Sequence, residues 1–279
     1  MMTPVPTITL NDGKAIPQLG FGVFQIDPAD TAEAVGVALD AGYRHIDTAQ
    51  MYGNEEGVGQ GIARSSIPRE ELYITTKLNN NQHRPDDVRR SFEESLDKLG
   101  LDHVDLFLVH WPLPTRYDGD FVSTWKAMAE LTADGRARSV GVSNFQPAHL
   151  ERLVAETGVT PAVNQVELHP RFQQAGLRRE HDELGIVTEA WSPLAQGQVL
   201  DDPAVVAIAE AHGKTPGQVV IRWHLQIGNV AIPKSVTPGR IQENFEVFDF
   251  TLDEDQMAAI EDLDAGARIG PDPDTFVRP

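Results

Sequence analysis

The sequence contains no cysteine and comparatively few basic residues. Without cysteine the chain cannot form disulfide bonds, use a thiol nucleophile or hold a metal through sulfur. Its 23 basic residues stand against 42 acidic ones, which gives a formal net charge of −19. Nucleic acid and anionic membrane surfaces would repel such a chain, so we expect neither as a partner.

Long apolar runs and targeting signals are also lacking. No apolar stretch approaches the roughly 20 residues that span a bilayer. The segment 1–6 has neither a basic n-region nor an apolar h-region, so we expect no secretory signal. We therefore expect a soluble cytoplasmic protein, and we expect it to act as a monomer.

Apolar residues are nevertheless sufficient for a large core, at 41% of the 279 residues. One α/β domain covering residues 1–279 suits this size. Short apolar runs alternate with segments of helical period, and such runs are typical of strands buried on both faces in a parallel sheet. Eight runs predict strands at residues 19–22, 44–48, 72–78, 104–111, 139–142, 162–166, 187–191 and 230–233.

Turn and capping residues punctuate this pattern. Residues 7–10 and 14–17 predict an opening hairpin, with an Asp-Gly turn between them. Asp30 with Glu33 predicts the capping box of the first helix. The tail 264–279, rich in Asp, Gly and Pro, is the only segment that we expect to be loose.

Strands alternating with helices can close into a barrel or form an open, doubly wound sheet. A doubly wound dinucleotide-binding sheet usually carries G-x-G-x-x-G after its first strand. That string is missing, because the glycines at 57, 59 and 61 have the wrong spacing. We therefore predict a (β/α)8 TIM barrel with an N-terminal β-hairpin and a short C-terminal tail.

Polar or amphipathic residues follow the predicted strands where each strand ends. In a barrel, these carboxyl-terminal ends form the face that carries the active site. One polar residue there would only mark where a strand stops, but a whole series of strands ends in this way. The residues are Asp47, Lys77, His110, Ser143 with Asn144, Gln165, Trp191 and Lys234.

Asp47, Tyr52, Lys77 and His110 form a chemically consistent group at this face. Tyrosine is a poor acid, with an unperturbed pKa of about 10, and a neighbouring ammonium lowers that pKa. A buried Lys77 needs an anion, which Asp47 can supply. His110 can donate a hydrogen bond to a carbonyl oxygen. The group can therefore polarise and protonate a carbonyl while hydride arrives at its carbon.

A second group surrounds the start of the helix at Thr237-Pro238. The free N–H groups and the dipole of a helix start attract phosphate. Lys234 and Arg240 add two cations in an otherwise acidic chain. This segment is the candidate anion site, although an ordinary exposed helix start would look similar.

Several segments, taken in order, resemble the aldo-keto reductase family. The resemblance runs from about residue 7 to residue 263 and is closest to the short bacterial members typified by 2,5-diketo-D-gluconate reductases. The matching segments are 42–49 with 52–55, 106–112, 141–145, 164–167 and 232–244.

The resemblance implies an NADPH-dependent oxidoreductase that reduces aldehydes and ketones, dicarbonyls and diketo sugar acids among them, to alcohols. Tyr52 is then the general acid, tuned by Lys77 and Asp47, and His110 orients the carbonyl. The implied contacts to NADPH or NADP+ are Gly22, Val23, Ser143, Asn144, Gln165, Trp191, Ser192, Leu194, Gln196, Lys234, Ser235, Val236, Thr237, Arg240, Glu243 and Asn244. The implied substrate pocket contains Phe24, Met51, Asn79 and Trp111, and no metal is implied.

Within this set, Ser143, Asn144 and Gln165 would hold the nicotinamide carboxamide, and Trp191 would stack on the ring. Asn79 departs from the relatives, which often carry tryptophan there. We hypothesise from this departure a preference for small, hydroxylated or dicarbonyl substrates over bulky aromatic ones. The alternative is that Asn79 only shapes a turn, which asparagine does readily.

Two other functions stay open at this point. A metal-dependent hydrolase could use His45, Asp47, His110 and His169 as ligands, but it would leave Lys77 and Tyr52 without a role. A cofactor-holding regulatory subunit would share the fold without turnover. The complete catalytic group argues against the second.

Overall fold

The computed structural model describes residues 5–278, and the chain there begins with an antiparallel hairpin. Strands β1 (Thr7–Thr9) and β2 (Ala15–Pro17) pair with Ile8 opposite Ile16. Ile16 packs with side chains that fill the barrel interior, among them Leu106, Val163 and Val230. The hairpin therefore closes the end of the barrel opposite the candidate site. This position buries its apolar side chains, which would otherwise face water.

Eight parallel strands follow, each paired with the next along the chain. They are β3 (Gly20–Gly22), β4 (His45–Asp47), β5 (Tyr73–Leu78), β6 (Val104–Val109), β7 (Ala137–Ser143), β8 (Val163–Glu167), β9 (Val187–Trp191) and β10 (Val230–Ala231). A bridge between Leu19 and Ala231 joins the two ends, with the Ala231 amide donating to the Gln18 carbonyl over 3.0 Å. The predicted barrel is confirmed.

Helices surround the barrel and bury its outer wall. They are α1 (Pro28–Ala41), α2 (Glu55–Arg64), α3 (Pro85–Leu99), α4 (Phe121–Glu130), α5 (Pro147–Thr157), α6 (Ala175–Leu184), α7 (Pro203–His212), α8 (Pro216–Gln226), α9 (Pro238–Phe245) and α10 (Glu254–Glu261). Over residues 5–278, none of the helices combines the length and the apolar character that crossing a membrane demands.

The first helix begins earlier than the sequence predicted. The Asp27 carboxylate accepts a hydrogen bond from the Ala29 amide over 2.9 Å, so Asp27 is the N-cap of α1. The predicted capping box of Asp30 with Glu33 was therefore wrong. Pro28 explains the difference, because its fixed φ and missing N–H suit the first helical position.

The glycines at 57, 59 and 61 lie on α2 and have a packing role. A Cβ at Gly57 would come within 2.7 Å of Thr31, and a Cβ at Gly61 within 2.8 Å of Val35. At Gly59 it would collide with the backbone of Leu99. These positions let α2 lie close against α1 and α3, and α2 directly follows the loop that carries Tyr52.

The C-terminal tail is anchored instead of loose. The Ile269 and Gly270 amides donate to the two carboxylate oxygens of Glu167 over 2.6 and 2.7 Å. Farther along, the rings of Phe276 and Trp111 lie 4.2 Å apart. The expectation of a loose tail was therefore wrong, because composition cannot reveal that a buried carboxylate on the barrel holds two of its amides.

Candidate active site

A buried ion pair lies at the carboxyl-terminal ends of β4 and β5. Lys77 Nζ donates to Asp47 Oδ1 over 2.7 Å and to the Thr48 carbonyl over 2.9 Å. The two side chains are 0% and 2% exposed. Burial has the largest single effect and lowers the pKa of Lys77, but Asp47, Tyr52 and Glu189 together outweigh it, so the pKa lies above its usual value. Lys77 therefore keeps its charge.

Tyr52 ends a short 3-10 turn, Gln50–Tyr52, just beyond β4. Its hydroxyl lies 3.3 Å from Lys77 Nζ, and the ammonium lies 5.0 Å from the ring centroid. Gln50 fixes this turn, because its amide nitrogen donates to the Ser91 carbonyl and to Ser95 Oγ, each over 2.7 Å. The fold thus places the predicted acid and the predicted cation in contact, although they are 25 residues apart in the sequence.

The pKa of Tyr52 lies above its usual value, which corrects the expectation that Lys77 would lower it. Burial of the phenol has the largest effect and raises the pKa. Lys77 lowers it in opposition, and Asp47 adds a further increase. The Lys77 contribution has the predicted sign, but a sequence does not reveal how much water the ring loses.

His110 directly follows β6 and faces Tyr52, with the ring centroids 5.7 Å apart and the rings nearly perpendicular. Its backbone carbonyl accepts a hydrogen bond from Asn144 Nδ2 over 3.0 Å. Burial, with a smaller effect of Lys77, holds the pKa of His110 well below its usual value. The imidazole is therefore neutral at physiological pH.

A hydrogen-bonded chain continues around the barrel mouth. Ser143 Oγ donates to the Gln165 carbonyl over 2.7 Å, and Trp191 Nε1 donates to Asn144 Oδ1 over 2.8 Å. Gln165 Nε2 donates in turn to Asp47 Oδ2 over 2.8 Å. Asn144 adopts a positive φ of 65°, a conformation that asparagine tolerates better than most residues. The structure therefore brings these predicted contacts together beside the ion pair.

Several of the remaining predicted cofactor residues lie at the end of β3 and in the loop that follows β9, which contains Ser192, Leu194 and Gln196. After β9, Ser192 and Gln196 have positive φ values of 50° and 53°, so this loop is held in an uncommon backbone conformation. The Gly22 amide donates to the Pro233 carbonyl over 3.1 Å, which places Gly22 and Val23 against the segment that carries Lys234.

The predicted phosphate segment lies after β10 and at the start of α9. Lys234 and Arg240 are exposed there, as are Val236 and Thr237, while Asn244 is buried. Two of the predicted residues already have protein partners. Ser235 Oγ accepts from the Thr237 amide over 3.1 Å, and Glu243 accepts from Thr215 Oγ1 over 2.8 Å.

The predicted substrate residues are divided between the walls of the mouth and a turn. The ring of Phe24 lies 5.0 Å from that of Tyr52 and is half exposed, whereas Trp111 is nearly buried. Met51 is partly buried beside Tyr52. Asn79 Oδ1 accepts from the Asn80 amide over 2.8 Å, so its carboxamide takes part in the turn after β5.

The ligands of the alternative metal site are engaged elsewhere. His45 lies 3.0 Å from Thr75 Oγ1, and His169 lies 3.0 Å from Glu167. Across the part of the chain that the structure describes, no three histidine, aspartate or glutamate side chains gather in a way that could hold a metal ion.

Sequence reasoning missed Glu189, which lies on β9 beneath the mouth and is fully buried. Its Oε2 accepts a second hydrogen bond from Gln165 Nε2 over 3.1 Å. A signal was present, because Glu189 is a lone acid two residues before Trp191 in a strand that is buried on both faces. Such a position is costly for a carboxyl group unless it has a partner.

Comparisons with known proteins agree with this site. The model of the Aldo/keto reductase family matches residues 18–265. An aldo-keto reductase of Mycobacterium sp. (strain KMS) is 55% identical over 271 residues, covering 97% of this chain and 98% of that protein. The methylglyoxal reductase DkgA of Escherichia coli (strain K12) is 53% identical over 272 residues, covering 96% and 97%.

A solved structure supports the same assignment. The crystal structure of a Gox0644 mutant in complex with NADPH superimposes with a TM-score of 0.94 at 48% identity, covering 99% of this chain and all of that one. The sequence motifs, the barrel and these similarities agree, and the chain belongs to the aldo/keto reductase family.

Proposed function

We propose that the protein uses NADPH to reduce small dicarbonyl compounds to hydroxycarbonyl products, with Tyr52 as the proton donor. One observation carries the proposal: Asp47, Lys77 and the Tyr52 hydroxyl are linked by contacts of 2.7 and 3.3 Å at the barrel mouth. A proton donor beside a fixed positive charge is what a carbonyl oxygen needs as it gains negative charge.

NADPH, when bound, supplies the hydride that reduces the carbonyl carbon. Tyr52 then releases its proton to the carbonyl oxygen, and Lys77 stabilises the phenolate that remains. Because the pKa of Tyr52 lies above its usual value, the phenol is fully protonated at neutral pH and is ready to act as an acid. Lys77 limits that increase, so proton release does not become prohibitively costly.

His110 assists as a neutral hydrogen-bond donor. Its Nδ1 atom is buried and has no partner within residues 5–278. Burying an unpaired N–H costs more than burying an unpaired ring nitrogen, which favours the tautomer with the proton on Nε2. Nε2–H can then donate to the carbonyl oxygen that Tyr52 protonates.

The residues around the mouth fit a nicotinamide cofactor chemically. Gln165 uses its N–H groups on carboxyl oxygens, which leaves its amide oxygen to accept from a carboxamide. Trp191 offers an aromatic face for stacking. Lys234 and Arg240 place exposed cations at a helix start in a chain of net charge −19, which suits the phosphates of NADPH.

The proposed substrate class rests on the relatives and on the aromatic side chains beside Tyr52 and Trp111. The Escherichia coli relative is named as a methylglyoxal reductase, and methylglyoxal is a three-carbon dicarbonyl. Phe276 of the C-terminal tail covers Trp111 on one side, and Phe24 covers Tyr52 on the other. Rings packed this closely on the predicted substrate residues agree with a small substrate.

A substrate panel tests the proposal. Purified protein is assayed for NADPH oxidation with methylglyoxal, a diketo sugar acid and a substituted benzaldehyde, and each assay is repeated with NADH. We expect the highest kcat/KM for a dicarbonyl with NADPH. Turnover of benzaldehyde alone would overturn the substrate class, and NADPH binding without turnover of any carbonyl would favour a cofactor-holding regulatory role.

A further inference from the structure

The buried acid Glu189 has no place in the mechanism above, although it adjoins the catalytic group. In the β8–β9 ladder Glu189 lies opposite Gln165, so both side chains point into the barrel. Gln165 Nε2 donates to Asp47 Oδ2 over 2.8 Å and to Glu189 Oε2 over 3.1 Å. A single carboxamide therefore links the acid to the ion pair of the active site.

We propose that Glu189 is a positioning residue, which together with Asp47 holds the Gln165 carboxamide with its nitrogen inward and its oxygen toward the cofactor. The inference rests on the proposed use of NADPH. With Asp47 alone, one N–H of Gln165 would be buried without an acceptor, and the amide would be free to rotate away. Glu189 removes that freedom.

The neighbours of Glu189 favour its protonated form. His45 Nε2 on β4 lies 3.7 Å from Glu189 Oε1, but burial lowers the pKa of His45 to about 3, so it supplies no positive charge. Asp47 opposes a second negative charge, and Lys77 is already paired with Asp47. Burial first, and then Asp47, raise the pKa of Glu189 to about 8.

Two tyrosines also face this acid. They are Tyr73 on β5 and Tyr52 at the mouth. Burial raises the pKa of both phenols, and a negative charge on Glu189 would raise it further. Neither can neutralise a carboxylate. A protonated Glu189 still accepts from Gln165 through one oxygen, so the positioning role needs no charge.

Binding experiments separate positioning from general stability. Isothermal titration calorimetry measures the Kd of NADPH and of adenosine 2′,5′-bisphosphate, a fragment without nicotinamide. We expect Glu189→Met to weaken NADPH roughly three- to ten-fold, as the loss of one hydrogen bond predicts, and to leave the fragment unchanged. Glu189→Asp, which withdraws the oxygens from Gln165, should do the same if the methionine variant does not fold.

Glu189→Gln is the rescue variant, because its amide oxygen can still accept from Gln165. We expect its Kd for NADPH to be within about two-fold of wild type, below the effect of losing a hydrogen bond. The matched control is Thr188→Val on the same strand, which removes a hydrogen bond to His181 Nδ1 of 2.8 Å on the outer face. That variant should not change the ratio of the two Kd values.

Thermal unfolding tests the protonation state without any cofactor. A carboxyl whose pKa rises on folding keeps a proton that the unfolded chain releases, so stability falls as pH rises from about 4.5 to about 8. The Tm of wild type should therefore fall relative to that of Glu189→Gln across this range.

Two results overturn the positioning role, and a third overturns the protonated state. The positioning role is overturned if the folded Glu189→Met or Glu189→Asp variant binds NADPH as tightly as wild type does. It is also overturned, in favour of a general structural effect, if the variant binds NADPH and the fragment more weakly by the same factor. A Tm difference that does not change with pH overturns the protonated state. Failure of the wild-type protein to bind NADPH would instead contradict the proposed function.

Discussion

The barrel mouth and the segment after β10 both carry positive charge, but it is buried and paired at the mouth and exposed in the segment. Lys77 is 0% exposed and is held by Asp47 and the Thr48 carbonyl. Lys234 and Arg240 are exposed, and the segment between them is exposed or only partly buried. Protein groups therefore hold the charge at the mouth in place, whereas the charges of the segment face solvent.

This difference matches the work that each region would do. Protonation of a carbonyl needs an acid and a cation at fixed positions, because small displacements reduce the rate greatly. Recognition of a phosphate needs charge and N–H donors, and exposed side chains supply both with less demand on geometry. We therefore expect substitutions at the mouth to affect kcat or folding, and substitutions in the segment to affect cofactor affinity.

Tyr52→Phe should have the largest effect. It removes the proposed proton donor, and general acid catalysis contributes about 10²- to 10⁴-fold, so kcat should fall by that factor. The Kd of NADPH should stay within a few-fold of wild type, because the hydroxyl contacts Lys77 and not the phosphate segment. Steady-state assays and fluorescence titration measure the two quantities.

The control is Tyr73→Phe, which removes a buried hydroxyl that has no hydrogen-bond partner among residues 5–278. It should leave kcat unchanged. If Tyr52→Phe retained activity within a few-fold of wild type, Tyr52 would have no part in proton transfer.

Asp47→Asn should lower the stability of the fold, which no substitution in the exposed segment is expected to do. It leaves the Lys77 charge buried without its partner, and removal of one member of a buried pair costs about 3–5 kcal/mol. The free energy of unfolding, measured in urea, should fall by that amount. The matched control is Asp249→Asn, because Asp249 pairs with Lys214 but is 67% exposed. There we expect a loss below about 1 kcal/mol, and equal losses in both variants would contradict the contrast.

Arg240→Ala tests the other region. A charge-assisted contact to the 2′-phosphate is available only in NADPH, and its loss costs about 1.5–3 kcal/mol, or roughly 10- to 150-fold in Kd. We expect NADPH to weaken by that factor while NADH and kcat change little. The control is Arg64→Ala, another exposed arginine, on α2. Equal weakening of NADPH and NADH would remove Arg240 from the 2′-phosphate.

The two regions also differ in how far the sequence predicts them. Parallel strands end at one face of a barrel, so Asp47, Lys77 and His110 could be placed together from their strand positions alone. The exposed start of α9 could be predicted from Thr237-Pro238, and its use as a phosphate site stays a prediction. The pKa of Tyr52 and the contacts of Glu189 could not, because both depend on how completely neighbouring side chains exclude water. The anchored tail depends on contacts across about 100 residues of sequence.

The smallest effect that we predict is at Asn79. Its side-chain oxygen accepts a hydrogen bond from the backbone N–H of Asn80, and its backbone N–H donates to Gln50 Oε1 over 2.7 Å. Asn79 therefore contributes to the turn beside Tyr52, and its influence on substrate choice comes second. We expect Asn79→Trp to lower kcat/KM for a diketo sugar acid a few-fold and to leave that for a substituted benzaldehyde equal or higher, because an apolar wall replaces a carboxamide.

Asn79→Ala separates the two roles, since it removes the turn hydrogen bond without adding a wall. If the alanine and tryptophan variants lowered kcat/KM for both substrates in parallel, Asn79 would act only through the turn and the position of Tyr52. If only the tryptophan variant changed the ratio of the two substrates, Asn79 would border the substrate. The second outcome would make Asn79 part of the wall of the barrel mouth that selects the substrate.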